Sequence, residues 1–226
     1  MAAAEPRLRI IFVHTVAGLV EKFKSLTENE FPGIEFLHVV NESLLHDLLK
    51  SGPSPANTRR IVQQAVLAAE ADARLVVFTC SSTSPAIDIA RTMVDVPIVK
   101  VDDPMAQKAA SIGGRIAIVC TTQSTIAPSR ALVEAHARSL GRTGEVQVRL
   151  VEGAFDALRA GRRDEHDALV TAAAGELAAR ADVLVLAQAS LAHLQASLSE
   201  GLAIPVLSSP PLLLEELQRR IGEMHQ

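Results

Sequence analysis

The chain has 226 residues, 48% hydrophobic and 21% charged, with a formal net charge of −4 at pH 7. That is enough apolar material for one large domain or two small ones, and too little charge for a disordered chain. The acidic balance, the lack of a basic block and an aromatic content of 3%, all of it Phe, argue against a phosphate-tracking nucleic-acid surface and against base-stacking platforms.

In chain order, a short polar lead runs directly into a strand-like segment at 9–14, which is not the layout of a secretory signal. A second strand is predicted at 34–40. Asn57 or Thr58 stands where it could cap a helix with the apolar stripe Ile61, Ala65, Ala68 and Ala69. Strands follow at 75–79, 97–101, 115–119, 146–151, 183–187 and 205–207. Ser84-Pro85, Asp103-Pro104 and Ser209-Pro210 each read as an N-cap followed by Pro at the first helical position. Gly113 and Gly141 sit where helices should stop. Most strand candidates are near-continuous apolar runs, as expected for strands covered on both faces of a parallel sheet. The fold class is therefore α/β with mostly parallel strands.

No apolar run approaches the roughly 20 residues of a membrane span. Two cysteines make no disulfide framework. CxxC, HExxH, GxGxxG and P-loop patterns are absent. His14, His38, His46, His136, His166, His193 and His225 are scattered, with no metal-ligand spacing among them. The expectation is a soluble cytoplasmic protein that binds no metal, no nucleotide and no nucleic acid.

The sequence repeats itself. RIIFVHT at 9–15 matches RIAIVCT at 115–121, ARLVVFTCSS at 73–82 matches ADVLVLAQAS at 181–190, and PIVKVDDP from Pro97 matches PVLSSPP from Pro205. Three segments in one order at nearly one offset indicate two similar lobes. The predicted division is 1–112 together with a last helix at 211–226, and 113–210. Two pseudo-symmetric lobes, each a short sheet flanked by helices, would enclose a cleft at the carboxyl ends of their strands, where parallel sheets bind ligands. His14 and Cys120 end the first strand of each lobe. Cys80 and Gln188 end the third.

Cys80 combines a strand end, the hydroxyls of Ser81, Ser82 and Thr83, and a helix start at Ser84-Pro85. Backbone N–H groups and a helix N-terminus near a thiol favour the thiolate. A small buried cysteine would look the same in sequence. Cys120 also ends a strand before Thr121, Thr122 and Ser124, which are equally readable as anion donors or as turn residues. His14 could be a general base or a satisfied strand-end histidine. Gln188 can donate and accept hydrogen bonds but carries no titratable proton at neutral pH.

TCSSTSP at Cys80, LAQAS at the matching position, HTV at His14, PIVKVDDP and VCTTQST together resemble the aspartate/glutamate/hydantoin racemase superfamily over almost the whole chain. The flavour is closer to the hydantoin racemase and arylmalonate decarboxylase branch than to glutamate racemase. The resemblance implies a cofactor-independent, pyridoxal-phosphate-free isomerase and a homo-oligomer. Two cysteines would act on the carbon next to a carboxylate or carbonyl of a small substrate, one removing a proton and the other delivering one.

By that resemblance Cys80 is the first-lobe thiol, Ser81 and Ser82 are oxygen donors, and Thr121 and Thr122 are the donor segment of the second lobe. Gln188 occupies the second thiol's place, with Ser190 beside it on the same wall. Three readings stay open. Cys80 works with His14 or Cys120 as a non-standard second acid or base. Alternatively Cys80 alone protonates one face of an enolate, as a decarboxylase, lyase or isomerase would require. In the third reading the protein binds a small carboxylate without turning it over.

Overall fold

The computed structural model describes residues 8–225. The polar lead at 1–7 and Gln226, the end of the expected last helix, lie outside the described residues. Contacts divide the chain into two compact units, one ending at Lys100 and the other beginning at Val101.

The first unit runs β1 (Arg9–His14), α1 (Gly18–Glu28), β2 (Glu35–Val40), α2 (Glu42–Ser51), α3 (Pro55–Glu70), β3 (Leu75–Phe78), a 3-10 turn (Ser81–Thr83), α4 (Ser84–Ala90) and β4 (Ile98–Lys100). Its four strands form one parallel sheet in the order β2-β1-β3-β4. The second unit runs α5 (Asp103–Ile112), β5 (Arg115–Cys120), α6 (Gln123–Ser139), β6 (Glu145–Leu150), α7 (Ala154–Arg159), α8 (Arg163–Ala178), β7 (Val183–Leu186), a 3-10 turn (Ala189–Leu194), α9 (Gln195–Gly201), β8 (Val206–Ser208) and α10 (Ser209–Met224). Its parallel sheet has the order β6-β5-β7-β8. The two units therefore repeat one topology. All eight predicted strands are present, with ends that move by one or two residues at most, within ordinary boundary scatter.

The strands read as apolar runs because helices cover both sheet faces. In the second unit Ala117, Val119, Leu184 and Leu186 face Val170, Ala174 and Leu177 of α8. The alternate residues Ile116, Ile118, Cys120, Val183 and Val185 face Met105, Ala109, Leu132 and Val133 of α5 and α6. This is the two-residue period of a strand buried on each side. In the first unit Ile11, Val13, Val76 and Phe78 pack on Ile61, Ala65 and Ala68 of α3 and on Ile87 of α4. Each fully buried Val, Leu, Ile or Phe side chain among these contributes about 1.5–3 kcal/mol relative to exposure. Because α5 adds Met105, Ala106 and Ala109 to the core of the second sheet, it belongs with that sheet, and α10 packs against it. The contact boundary thus falls before α5, whereas the sequence division at 112 falls after it.

Local signals explain the ends. The cap of α3 is Ser54, whose Oγ accepts from the Asn57 N–H at 3.2 Å. Asn57 lies inside the first turn and donates through Nδ2 to the Gly52 carbonyl at 3.1 Å, so neither Asn57 nor Thr58 is the cap. Pro55 at the first turn is what moves the start upstream. The Pro residues after Ser84, Asp103 and Ser209 also lie in first turns, with each helix starting at the residue before the Pro. Gly141 ends α6 at φ +66°, with its N–H on the Arg138 carbonyl and the Arg142 N–H on the Ala137 carbonyl. That paired bonding is the C-terminal motif that favours glycine. Gly113 serves differently: a Cβ there would lie 2.6 Å from Asp182 Cβ. No helix of the described residues is long and apolar enough to cross a membrane.

Candidate functional site

In each sheet the strand order reverses between the first and third strands, β1 and β3 or β5 and β7. Carboxyl ends flanking such a reversal are where open parallel sheets bind ligands. The sequence has placed its chemistry there.

In the first unit His14 ends β1 and is fully buried. Its Nδ1 lies 2.8 Å from Thr79 Oγ1, one residue beyond β3, and its Nε2 lies 2.9 Å from His38 Nδ1 on β2. The hydrogen-bond network assigns the protons. Thr79 Oγ1 donates to the Val13 carbonyl at 3.3 Å, so it accepts from His14 Nδ1–H, and His14 Nε2 accepts from His38 Nδ1–H. His38 Nε2, buried without a partner, is then a bare lone pair. The reverse assignment would strand an N–H, the rarer and costlier outcome. Phe12 and Phe23 enclose the pair, with the two imidazoles stacked at 5.2 Å. Burial, aided by the neighbouring His38, pushes His14 down to about 4. His14 is therefore a neutral ring with both nitrogens engaged.

Cys80 follows Thr79 and is half-buried. It occupies the N-cap position of the turn Ser81–Thr83 with extended backbone, φ −121° and ψ 114°. Its carbonyl accepts from Thr83 N–H at 3.1 Å and from Thr83 Oγ1 at 2.7 Å, which holds the turn closed. Neither cysteine is disulfide-bonded. On the adjoining strand Lys100, paired in register with Phe78, is nearly enclosed and meets Asp88 of α4 at 2.6 Å.

In the second unit Gln188 stands where Cys80 stands in the first. It is the N-cap of the turn Ala189–Leu194, at φ −137° and ψ 134°. Ala187 N–H donates to the Val119 carbonyl as Thr79 N–H donates to the Val13 carbonyl. Gln188 Oε1 accepts from Thr121 N–H at 2.6 Å and from Thr121 Oγ1 at 3.0 Å. The Thr121 donors, expected to hold substrate oxygens, are thus spent on Gln188. With its oxygen committed, Gln188 offers its amide N–H groups. Thr122 Oγ1 is 2.7 Å from Thr125 Oγ1 at the start of α6. The Ser190 carbonyl accepts from His193 Nδ1 at 2.9 Å.

Cys120 packs in the core. It is fully buried on the sheet face covered by α5 and α6, with its thiol directed to the Arg149 carbonyl at 3.6 Å. Burial pushes the thiol up to about 11, so it is protonated at neutral pH. Strand parity, shared with Ile116 and Ile118, carries the side chain into the core. Sequence reasoning singled out neither Thr79 nor His38 as site residues. The signal for His38 was its period-two spacing from Phe36 on a strand beside β1.

A family model described as Asp/Glu/hydantoin racemase matches residues 9–217. No curated protein matches the chain. Among solved structures, glutamate racemase from Francisella tularensis in complex with D-glutamate is 16% identical with a TM-score of 0.74, covering 97% of this chain and 83% of that one. Allantoin racemase from Klebsiella pneumoniae is 15% identical with a TM-score of 0.67, covering 95% and 88%. Aspartate racemase from Picrophilus torridus is 11% identical with a TM-score of 0.70, covering 95% and 94%. Likeness at these identities shows the fold.

Proposed function

The chain belongs to the Asp/Glu/hydantoin racemase family, and from that footing we propose that it is a cofactor-independent isomerase moving a proton at the carbon next to a carboxylate or carbonyl of a small substrate, with Cys80 as its one proton-transfer thiol. The observation that carries the reading is the half-buried Cys80 at the N-cap beyond β3, beside the reversal of strand order.

The chemistry suits the group. A carbon acid gives up its proton only if the charge arriving on the adjacent oxygen is stabilised by donors already in place. A thiol can then serve as base and acid in turn. The thiolate takes the proton, the C–H electron pair becomes the enolate C=C bond, and the carbonyl pair moves onto the oxygen. The same sulfur then returns the proton on the same face, to the original carbon for simple exchange or to a neighbouring atom of a conjugated substrate for the bond migration that makes an isomer. Ser81 and Ser82 are the proposed donors to that oxygen, and Gln188 is proposed to bind substrate through its amide N–H groups.

A proton donor for the opposite face is what this chain lacks at the expected places. Gln188 has no titratable proton, Cys120 is enclosed with a raised pKa, and His14 has no open nitrogen. The same facts favour one second reading. A single thiol could protonate an enolate left by loss of carbon dioxide, the one-thiol chemistry associated with the arylmalonate decarboxylase branch.

Proton NMR in D₂O separates these readings. The purified protein is incubated with amino acids, hydantoins, 2-hydroxy acids and substituted malonates, beside Cys80→Ala. Cys80-dependent exchange without loss of optical purity, or Cys80-dependent bond migration, is the expected result. Cys80-dependent decarboxylation giving one enantiomer supports the second reading. Exchange that survives Cys80→Ala overturns both.

A further inference from the structure

We propose that His166, Asp167 and His193 of the second unit form a binding site for a first-row divalent transition metal, with zinc as its first candidate. The inference is independent of the chemistry at Cys80.

His166 and Asp167 are neighbours in sequence, and His193, 26 residues beyond Asp167, joins them in space. His166 and Asp167 lie on α8, and His193 lies near the end of the 3-10 turn that begins after Gln188. One ligand atom from each falls within 4.8 Å of the others. His166 Nδ1 is 2.6 Å from Asp167 Oδ1, and His193 Nε2 is 2.8 Å and 2.9 Å from the two Asp167 oxygens.

His193 is held in place by its outer nitrogen. Its Nδ1 faces the Ser190 carbonyl at 2.9 Å. A carbonyl can only accept, so Nδ1 carries the ring proton. In the neutral ring Nε2 is then a bare lone pair facing a carboxylate that also only accepts. Their contact calls for a positive charge, supplied either by a second ring proton, as in a histidinium–carboxylate pair, or by a metal ion. An imidazole whose outer N–H is held by a backbone carbonyl is also the usual second shell of a metal-ligating histidine, because that bond fixes the tautomer and aims the other nitrogen.

His166 supplies a second imidazole at the same carboxylate, fully buried, with its Nδ1 on Asp167 Oδ1. Without a metal Nδ1–H donates to Asp167, and the partnerless Nε2 is a bare lone pair. A metal would take the Nδ1 lone pair and move the ring proton to Nε2. Two imidazole nitrogens and a carboxylate form a donor set suited to zinc, with a fourth place for water. Tetrahedral bonds of about 2.0–2.1 Å would spread the ligand atoms by roughly half an ångström. His193, with one-third of its side chain exposed on a short turn, can supply that movement and leaves an entry path. The bound ion would fasten to α8 the turn whose N-cap is Gln188.

The test uses the tag-free full-length protein, stripped with chelator, in equilibrium dialysis against Zn²⁺ and in Co²⁺ absorption titration. One metal per chain is expected, unchanged in Cys80→Ala, with a cobalt spectrum lacking sulfur ligation. His193→Ala and Asp167→Asn should each weaken binding at least about tenfold, with circular dichroism confirming the fold. His193→Asn, closer in polarity, guards against a folding defect in the alanine variant. Failure of the wild-type chain to take up metal, or uptake indifferent to both His193 variants, overturns the assignment and leaves a proton-bridged ion pair.

Discussion

Cys80 and Gln188 hold the same backbone place in two copies of one topology, each the extended N-cap of the 3-10 turn beyond the third strand of its sheet. The scaffold is repeated while the chemistry is not. The first copy presents a thiol, and the second presents an amide whose oxygen is tied to Thr121 at 2.6 Å and 3.0 Å.

Gln188→Glu isolates the amide N–H groups. The carboxylate still accepts from Thr121 but has nothing to donate, and it repels an anionic substrate. The expected result is a Michaelis constant raised about tenfold or more, from a lost charge-assisted hydrogen bond worth roughly 1.5–3 kcal/mol, with melting temperature little changed. An unaltered Michaelis constant would remove Gln188 from the binding role.

The two thiols should differ sharply in reactivity. Cys80 is half-buried and Cys120 fully enclosed. A thiol reagent such as dithionitrobenzoate should modify one cysteine per folded chain and two after unfolding, and mass mapping should place the first at Cys80. Cys120→Ala should keep proton-transfer activity and destabilise by about 1 kcal/mol, the scale of a small cavity. Loss of activity in a folded Cys120→Ala protein would restore Cys120 to the chemistry.

His14 predicts an acid limb in stability. Its folded pKa, about 4, lies below the ordinary histidine value of about 6.5. Between those values the unfolded chain binds more protons than the folded one, so stability falls as pH drops through this window and is level above it. His38, also lowered by burial, acts in the same sense. His14→Phe should flatten the limb in urea titrations at pH 4.5 and pH 7, removing up to about 3 kcal/mol of pH dependence. An unchanged slope in the folded variant would mean that His14 is not the group being charged.

Two glycines should respond in opposite directions. Gly113→Ala drives a Cβ to 2.6 Å from Asp182 Cβ, an atom fixed to the backbone of a residue that also binds Arg115 through N–H and guanidinium. A loss of about 1–3 kcal/mol is expected, as for overpacking. Gly175 sits exposed inside α8 with nothing near the added carbon, and Gly175→Ala should stabilise by about 0.5–1 kcal/mol. Thermal melts of the pair provide the measurement.

The fold was largely legible because burial on both faces writes each strand as a continuous apolar run, and because the second half repeats the first. Residues 9–14 and 115–119 could be placed for that reason. The same double burial hid the direction of Cys120. When both faces are apolar, period two says that Cys120 shares a face with Ile116 and Ile118, but not that this face lies under α5 and α6. The His14–His38 contact depended on the register of β1 against β2, which a slip of one residue would reverse. His166 and His193 lacked any ligand spacing because α8, β7 and a turn intervene between them. Cys80 and Gln188 were legible as a pair through the repeat. That Gln188 disarms Thr121 is a matter of side-chain geometry.

The two ladders share no strand, and every pairing in β2-β1-β3-β4 is complete once Lys100 has been reached. A chain made from its N-terminus can therefore close its first sheet during synthesis, before any strand of the second has left the ribosome. The cysteine-bearing turn at Ser81–Thr83 lies inside that early segment. The Cys80 thiol would be seated in its half-buried place while the rest of the protein is still being translated.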